Sequence, residues 1–293
     1  MREKEITNAP RSTDSGQHEI PMWLRTALAV AAGAASGILL YEILRKKTHP
    51  SATTSTPLVD SISVTENGQS VKLITFGWDD DEMCSWIRTL DLDANGLVTG
   101  EKLIEIEYSD DRILISEKTG EDDTTPVLST ILLNEYGMAT AVTRRSRSGK
   151  EMRWDEEIIG AELQKITDDA HTGTLEWTDG NVTAIINDDH VSQRMTYYSS
   201  IENHVFPDLN LLALGASPDM ALTHILGTRT RNFISTLEVI SGDEISHYSF
   251  SYLFDALDRP LQIHQELAVI DSRGEHVDGR GGVTDYDIKY LAK

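Results

Sequence analysis

The stretch LDLDANGLVTGEKL, residues 90–103, carries oxygen ligands at the spacing of a calcium-binding loop. Four residues stand at positions 1, 3, 5 and 6 of such a loop, namely Asp91, Asp93, Asn95 and Gly96. Position 12, which normally supplies a bidentate carboxylate, is Lys102, and Glu101 comes one place early. The same residue types are typical of a β-hairpin tip. We therefore favour a hairpin, and keep as calcium candidates Asp91, Asp93, Asn95 and Glu101.

Catalytic spacings are missing from the rest of the sequence. The histidines form no HxH, HxxxH or HExxH pattern, and no G-x-S-x-G elbow surrounds a serine. The one cysteine, Cys84, has no partner for an intrachain disulfide or a CxxC site. Beyond the calcium candidates, the sequence predicts no catalytic, metal-binding or cofactor-binding residue and no cofactor. It favours a non-enzymatic role without excluding an enzyme.

The tryptophans are the residues best suited to bind a sugar. Four of them could stack on sugar rings if they face solvent: Trp78, Trp86, Trp154 and Trp177. On a thin β-sheet domain, most of them are expected in the core instead. We take Trp154 and Trp177 as candidate ligand-binding residues, with core packing as the alternative.

Charge is distributed unevenly along the chain. Residues 1–50 hold seven Lys or Arg against five Asp or Glu, whereas residues 51–293 hold 19 against 43, a net charge of −24. Such an acidic surface repels phosphate backbones and therefore disfavours nucleic acid as a partner. It favours cations or basic partners, although a solvated acidic surface explains the same composition.

An uncharged apolar segment spans residues 26–41 and is followed by the basic residues 45–47. It is short for a membrane span, but flanking side chains can snorkel to the interface. We predict an uncleaved transmembrane anchor helix over residues 22–47, with a cleavable signal peptide and a buried soluble helix as alternatives. The acidic domain that follows is then expected to be exported, to the periplasm or the cell surface.

The segments around the anchor complete the predicted organisation. Residues 1–21 are expected to form a disordered tail, and residues 48–61, which are rich in Ser, Thr and Pro, an extended linker. Residues 62–293 form the folded domain. Gly33 and Gly37 make a GxxxG pair in the anchor, a spacing through which two helices could form a homodimer.

From residue 62 onward, polar and apolar residues alternate with a period of two. KLIEIEY, residues 102–108, is one of several β-branched and aromatic-rich runs that turn residues separate at roughly ten- to twelve-residue intervals. This pattern predicts an all-β fold, a long antiparallel meander of about 12–14 strands curled into a barrel-like sheet. We expect a loop or short-helix insertion near residues 205–235, with helical residues at 217–226.

One nine-residue pattern recurs in LDLDANGLV (90–98), ILLNEYGMA (131–139) and YLFDALDRP (252–260), and more weakly in LEWTDGNVT (175–183). Bulky strand residues precede an Asp or Asn, and a Gly or Asp follows three residues later: Asp93 and Gly96, Asn134 and Gly137, Asp255 and Asp258. The first residue suits position i of a type I turn, and the second tolerates the left-handed conformation of a bulge. Each copy is therefore predicted to be a hairpin rather than a ligand site.

These units resemble the Tyr-Asp-type hairpins of a Bacteroidetes surface-protein family of unknown function. A W-x-x-G-N hairpin recurs in that family and is matched by Trp177, Gly180 and Asn181. A final Y-x-Y-D-x-x-G-x-P hairpin is matched at Tyr252, Phe254, Asp255, Asp258 and Pro260. The resemblance covers about residues 70–270 and implies an exported, antiparallel, porin-like or half-barrel β domain without assigned activity. Family members are typically lipid-anchored, whereas no lipobox cysteine follows the apolar segment here.

Taken together, these features predict a membrane-tethered binding or scaffold module of the cell envelope, non-catalytic and of unknown ligand. The first alternative is an envelope glycan-binding or carbohydrate-active protein, so a glycan or an envelope protein is the expected partner. The second alternative is a calcium-dependent acidic module.

Overall fold

The structure, a computed structural model, describes residues 33–35, 57–120, 124–135, 137–159, 162–188, 190–213, 228–271 and 273–292. Within these residues, sixteen strands form a closed antiparallel barrel. The first twelve barrel strands are β2 (Val59–Glu66), β3 (Gln69–Trp78), β4 (Cys84–Leu92), β5 (Val98–Tyr108), β6 (Arg112–Thr119), β7 (Val127–Leu133), β8 (Ala139–Arg145), β9 (Glu151–Ile159), β10 (Glu162–Thr167), β11 (Thr172–Thr178), β12 (Asn181–Asn187) and β13 (His190–Glu202). The last four are β15 (Asn232–Ser241), β16 (Glu244–Phe254), β17 (Pro260–Asp271) and β18 (Gly282–Tyr290). Outside the barrel, β1 (Gly33–Ala35) pairs with β14 (Thr228–Arg229).

The barrel is a simple meander in which each strand pairs with its neighbours in sequence. It closes where β18 pairs with β2, for example at Ile288 and Ile62. The predicted all-β antiparallel meander curled into a barrel-like sheet is confirmed, and the barrel is closed. It has more strands than the 12–14 expected. Strands that lie close together in sequence raise the number, for example β9 and β10, which only two residues separate. The first barrel strand also begins at Val59, inside the predicted linker 48–61.

Alternation along the strands creates an apolar interior. Phe76, Ile87 and Ile104 stand opposite one another on β3, β4 and β5, and none is more than 3% exposed. Equivalent side chains from all around the barrel join them in one contiguous core. Because side chains alternate between the two faces of a strand, the neighbouring row points outward.

The exterior of the barrel is charged. In the row next to the core residues, Arg88 stands opposite Leu103, which stands opposite Lys118. Ion pairs lie on this face. Arg88 pairs with Glu101 at 2.7 Å and, further round the barrel, Arg153 pairs with Asp155 at 2.8 Å. The wall therefore presents charge to its surroundings at mid-strand and keeps most of its apolar side chains inside.

The first part of the connection between β13 and β15, residues 203–213, packs into the core at one end of the barrel. Its helix α1 (Leu209–Ala213) is buried along its whole length. The connection is held to the wall because the Phe206 N–H donates to Pro57 O at 3.0 Å and Phe206 O accepts from Val59 N at 2.9 Å. α1 lies within the insertion predicted near residues 205–235, whereas the helix predicted at 217–226 lies outside the described residues.

Asn210 fixes α1 to Thr230 and to the first residues of β15. Its side-chain amide donates to Thr230 Oγ1 at 2.8 Å and to Asn232 O at 2.9 Å, and its oxygen accepts from Ile234 N at 3.1 Å. The residue is only 1% exposed. This one side chain therefore satisfies several polar groups that the protein would otherwise bury without partners.

The predicted membrane anchor falls almost entirely outside the described residues. No described helix is long and apolar enough to cross a membrane. Gly33–Ala35 form a strand that pairs with β14, so the helix predicted over 22–47 is wrong at these three residues, of which Gly33 has a low helix propensity. The rest of that prediction lies outside the described residues. Gly37 is not described, and the homodimer through Gly33 and Gly37 stays a prediction.

The recurring nine-residue pattern forms the predicted hairpin turn. At its first copy, the Asp93 N–H donates to Leu97 O, and Asp93 Oδ1 accepts from the N–H groups of Asn95 and Leu97 at 2.8 Å each. The turns headed by Asn134 and Asp255 repeat this bonding. The closing residues have positive φ angles: 77° at Gly96, 74° at Gly137 and 57° at Asp258. The weaker copy at 175–183 differs, since its strands join through a two-residue turn at 179–180.

Candidate functional site

The outer face of β4, β5, β6 and β7 carries a groove of about 870 Å³. Each strand contributes one outward apolar side chain to its lining, in addition to the buried Ile106 and Ile115: Trp86, Leu103, Leu114 and Leu128. Three of these are clearly exposed, Trp86 at 38%, Leu114 at 40% and Leu128 at 41%. A contiguous cluster of exposed apolar side chains is the kind of surface that marks an interaction site.

Gly77 sets the position of Trp86. The two residues stand opposite each other on β3 and β4, and the indole ring of Trp86 lies where a side chain at position 77 would be. A residue with a Cβ at this position would push the indole away. The glycine therefore allows Trp86 to lie against the sheet at the edge of the groove, with one face open to a ligand.

Charged groups surround the apolar part of the groove. Arg88 pairs with Glu101 at 2.7 Å, and Lys118, just outside the groove, pairs with Glu105 at 2.6 Å. Glu107 is exposed and forms no ion pair with any described residue. Two of the three lining carboxylates are therefore ion-paired, and the groove keeps one uncompensated negative charge, at Glu107.

The two tryptophans selected from the sequence lie on the inner side of the barrel. Trp154 and Trp177 are half-buried and pack against the core, and Trp177 Nε1 donates to Leu163 O at 2.9 Å. Trp78 is also tied inward, with Nε1 donating to Val59 O at 2.9 Å. Among the tryptophans of the described ranges, only Trp86 presents an exposed ring.

The four calcium candidates are engaged separately. Asp93 caps its own turn, and those bonds from the backbone of Leu97 and Asn95 hold the pKa of its carboxyl below the usual value. Glu101 faces outward and binds Arg88, whereas Asp91 lies 3.9 Å from Lys72. In the part of the chain that the structure describes, no group of three or more His, Cys, Asp or Glu residues is arranged to hold a metal ion.

A carboxyl group without a described partner lies inside the barrel. Glu156 stands opposite the buried Ile166, and neither of its carboxyl oxygens has a hydrogen-bond partner among the described residues. Burial raises the pKa of Glu156 to about 8. The neighbouring Trp154 indole N–H offsets part of this rise, although the two groups do not meet the geometry of a hydrogen bond.

Gln193 is a second inward polar group of this kind. It stands opposite Ile185 and Val239, is fully buried, and neither its amide nitrogen nor its oxygen has a partner in the described ranges. Sequence reasoning missed both Glu156 and Gln193, because each lies in a polar stretch that looks solvent-exposed. The only sign in the sequence that these two side chains face inward is the alternation of inward and outward residues along their strands.

Comparison with known proteins agrees with this architecture. Neither the protein-family models nor the curated proteins match the chain. Among solved structures, the chain is similar to a porin-like protein from Bacteroides uniformis ATCC 8492, known from a crystal structure at 2.32 Å resolution. The two are 17% identical, and the match covers 82% of this chain and 100% of that chain with a TM-score of 0.58. At this level of identity the likeness concerns the fold, and the chain has the fold of a porin-like β-barrel.

Proposed function

We propose that this protein is a non-catalytic binding or scaffold module of the cell envelope whose barrel is surrounded by water. The observation that carries this proposal is the polarity of the wall. A membrane barrel has an apolar outer band and a polar interior, and an Arg or Lys on its lipid face costs about 2–4 kcal/mol at mid-depth. Here ion pairs such as Arg88–Glu101 and Arg153–Asp155 lie on the outer face. The contiguous apolar core lies inside, together with one ion-paired cluster of Lys102, Glu117 and Arg144.

The filled interior also argues against a conducting pore. Barrels of sixteen or more strands usually leave an aqueous channel. In this protein the apolar core occupies the interior, and α1 adds buried side chains at one end. A filled barrel provides a rigid frame, and its outer groove is then the natural place for a ligand.

The envelope location forms part of the same proposal. It is supported by the porin-like neighbour from a Bacteroides species and by the hairpin motifs that resemble exported proteins. Export to the periplasm or the cell surface completes it. A second candidate, glycan binding, is favoured by one observation, the exposed ring of Trp86.

Cysteine labelling in intact envelopes tests the proposal. Cys84 is 1% exposed and burial raises the pKa of its thiol to about 12, so the background with a charged, membrane-impermeant maleimide should be low. Thr174→Cys and Ser251→Cys place thiols at exposed positions on the barrel wall, and Ser148→Cys places one in an exposed turn. We expect all three variants to react at similar rates without detergent. Reaction of only the Ser148 variant, with the wall positions protected until detergent is added, would show that lipid covers the wall.

A further inference from the structure

The groove on β4–β7 restricts the chemistry of its ligand through its apolar residues. Leu103, Leu114 and Leu128 offer van der Waals contact but no hydrogen bonds, and Trp86 is the only aromatic lining residue. Hydroxyl groups also line the groove, at Ser116 and Thr130, but the outward apolar side chains form a continuous row across its four strands. A sugar ring gains most from aromatic faces combined with free hydrogen-bonding groups. An aliphatic floor instead fits the aliphatic or aromatic side chains of a peptide.

Charge restricts the ligand further. Glu107 has no ion-pair partner among the described residues, and it stands opposite Leu114 on the neighbouring strand. The surrounding domain adds a net charge of −24 over residues 51–293. Anionic ligands such as phosphates or acidic sugars are therefore repelled, whereas a Lys or Arg side chain gains a carboxylate partner beside an apolar contact.

The closed barrel also limits how a peptide can bind. Peptides commonly add a strand to an exposed sheet edge, but every barrel strand here is paired on both sides. Recognition must then occur through side chains on the outer face. A groove of about 870 Å³ is large enough for several side chains from one face of a peptide.

We propose that this groove binds a basic amphipathic peptide segment of a partner protein. The apolar side chains of the segment pack on Trp86 and the three leucines, and a Lys or Arg pairs with Glu107. This inference rests on the proposed function as a binding module and names the partner of its groove.

Fluorescence polarisation with designed peptides tests the inference on the full chain. The probes are a labelled Leu/Lys amphipathic peptide of about four helical turns, a Leu/Glu peptide of the same spacing, and a neutral oligosaccharide. Measurements at about 0.15 M salt screen the diffuse attraction of an acidic surface for any cation. We expect the Leu/Lys peptide to bind and the other two probes not to bind.

Groove variants separate specific from diffuse binding. Trp86→Ala should weaken the Leu/Lys peptide at least about tenfold, as for a central aromatic anchor, and Glu107→Gln should weaken it several-fold. Leu114→Lys, which adds a cation to an exposed position, should abolish binding while the melting temperature shows that the barrel is folded. The matched controls are Glu157→Gln and Leu253→Ala, which change exposed residues outside the groove and should leave affinity unchanged.

Three outcomes would overturn the inference. If the Leu/Glu peptide bound as tightly as the Leu/Lys peptide, charge would not determine recognition. If the control variants weakened binding as much as the groove variants, the peptide would bind the acidic surface in general and not the groove. Oligosaccharide binding that depends on Trp86, without peptide binding, would assign the groove to a glycan. Any of these can occur while the wall cysteines react as expected, so the peptide inference and the proposed function fail separately.

Discussion

Replacing Glu156 by Gln should stabilise the protein at neutral and alkaline pH. Burial raises the pKa of this carboxyl from 4.5 to about 8, which means that the folded protein holds the proton more tightly than the unfolded chain. For an acid shifted in this direction, stability falls as pH rises from 4.5 towards 8, because the unfolded state ionises first. Gln has nearly the same shape and carries no charge at any pH, so it removes this loss.

The magnitude follows from the shift. At about 1.4 kcal/mol per pH unit, a rise from 4.5 to about 8 corresponds to about 5 kcal/mol above pH 8. Water that reaches the carboxylate would lower this figure, so we expect the variant to gain between about 2 and 5 kcal/mol at pH 9. Near pH 4.5 both side chains are neutral, and the two proteins should differ by less than about 1 kcal/mol.

Urea denaturation of the full chain between pH 4.5 and 9 measures the effect. The free energy of unfolding of Glu156→Gln minus that of the wild type should rise with pH and level off above pH 8. Glu157→Gln is the matched control, because Glu157 is exposed on the same strand and should give a flat, small difference. A difference for Glu156→Gln that stays below about 1 kcal/mol from pH 5 to 9 would mean that the carboxylate is hydrated inside the folded barrel.

Two further predictions concern α1 and the outer wall. Asn210→Ala removes three hydrogen bonds at a site 1% exposed, and it should lower the free energy of unfolding by about 3 kcal/mol in urea titration. The control Asn95→Ala, in an exposed turn, should lower it by less than about 1 kcal/mol. Equal losses would show that the Asn210 bonds contribute little. His264 lies 2.6 Å from Asp285 and 3.3 Å from Glu266, which raises its pKa. The stabilising effect of protonated His264 is therefore complete below about pH 6.5 and is lost as pH rises through its folded pKa. The melting temperature of the wild type minus that of His264→Gln should become smaller between pH 6 and 9. A difference that stays constant over this range would contradict the prediction.

The features that could be predicted from the sequence are the local ones. The turn at Asp93 and Gly96 depends on bonds within five residues, so its residue types alone identify it. The antiparallel meander follows in the same way from runs of alternating residues with turns between them. Closure is different, because Ile62 and Ile288 lie at opposite ends of the domain and neither carries a mark of its partner.

The groove could not be predicted for a related reason. Alternation places Leu103, Glu105 and Glu107 on one face of β5, but it does not say which side chains of β4 and β6 stand beside them. Register supplies that information, and it brings Trp86 opposite Glu105 and Leu114 opposite Glu107. A shift of one residue on either neighbouring strand would have turned its apolar residues towards the core.

Register also separates residues that the sequence presents as equivalent. Glu156 and Glu157 are adjacent acids in one strand, yet Glu156 lies opposite the buried Ile166 and Glu157 opposite Lys165. In the same way, the apolar character of Trp86, Trp154 and Trp177 does not reveal which of them faces outward. Residue type alone therefore could not show whether a tryptophan chosen as a sugar-binding candidate lies in the core or on the surface.

Closure and polarity together limit how this barrel can act. A closed sheet has no free edge, which protects the chain from strand addition and from aggregation through its backbone. A core-filled interior leaves the side chains of the outer wall as the surface that a partner meets. The wall also carries a cluster of exposed apolar groups. Each of them is in contact with water while no partner is bound, so covering them with a partner lowers the free energy. The groove around Trp86 therefore combines the apolar area and the unpaired carboxylate that a basic partner needs, and its loss should leave the barrel folded but without affinity.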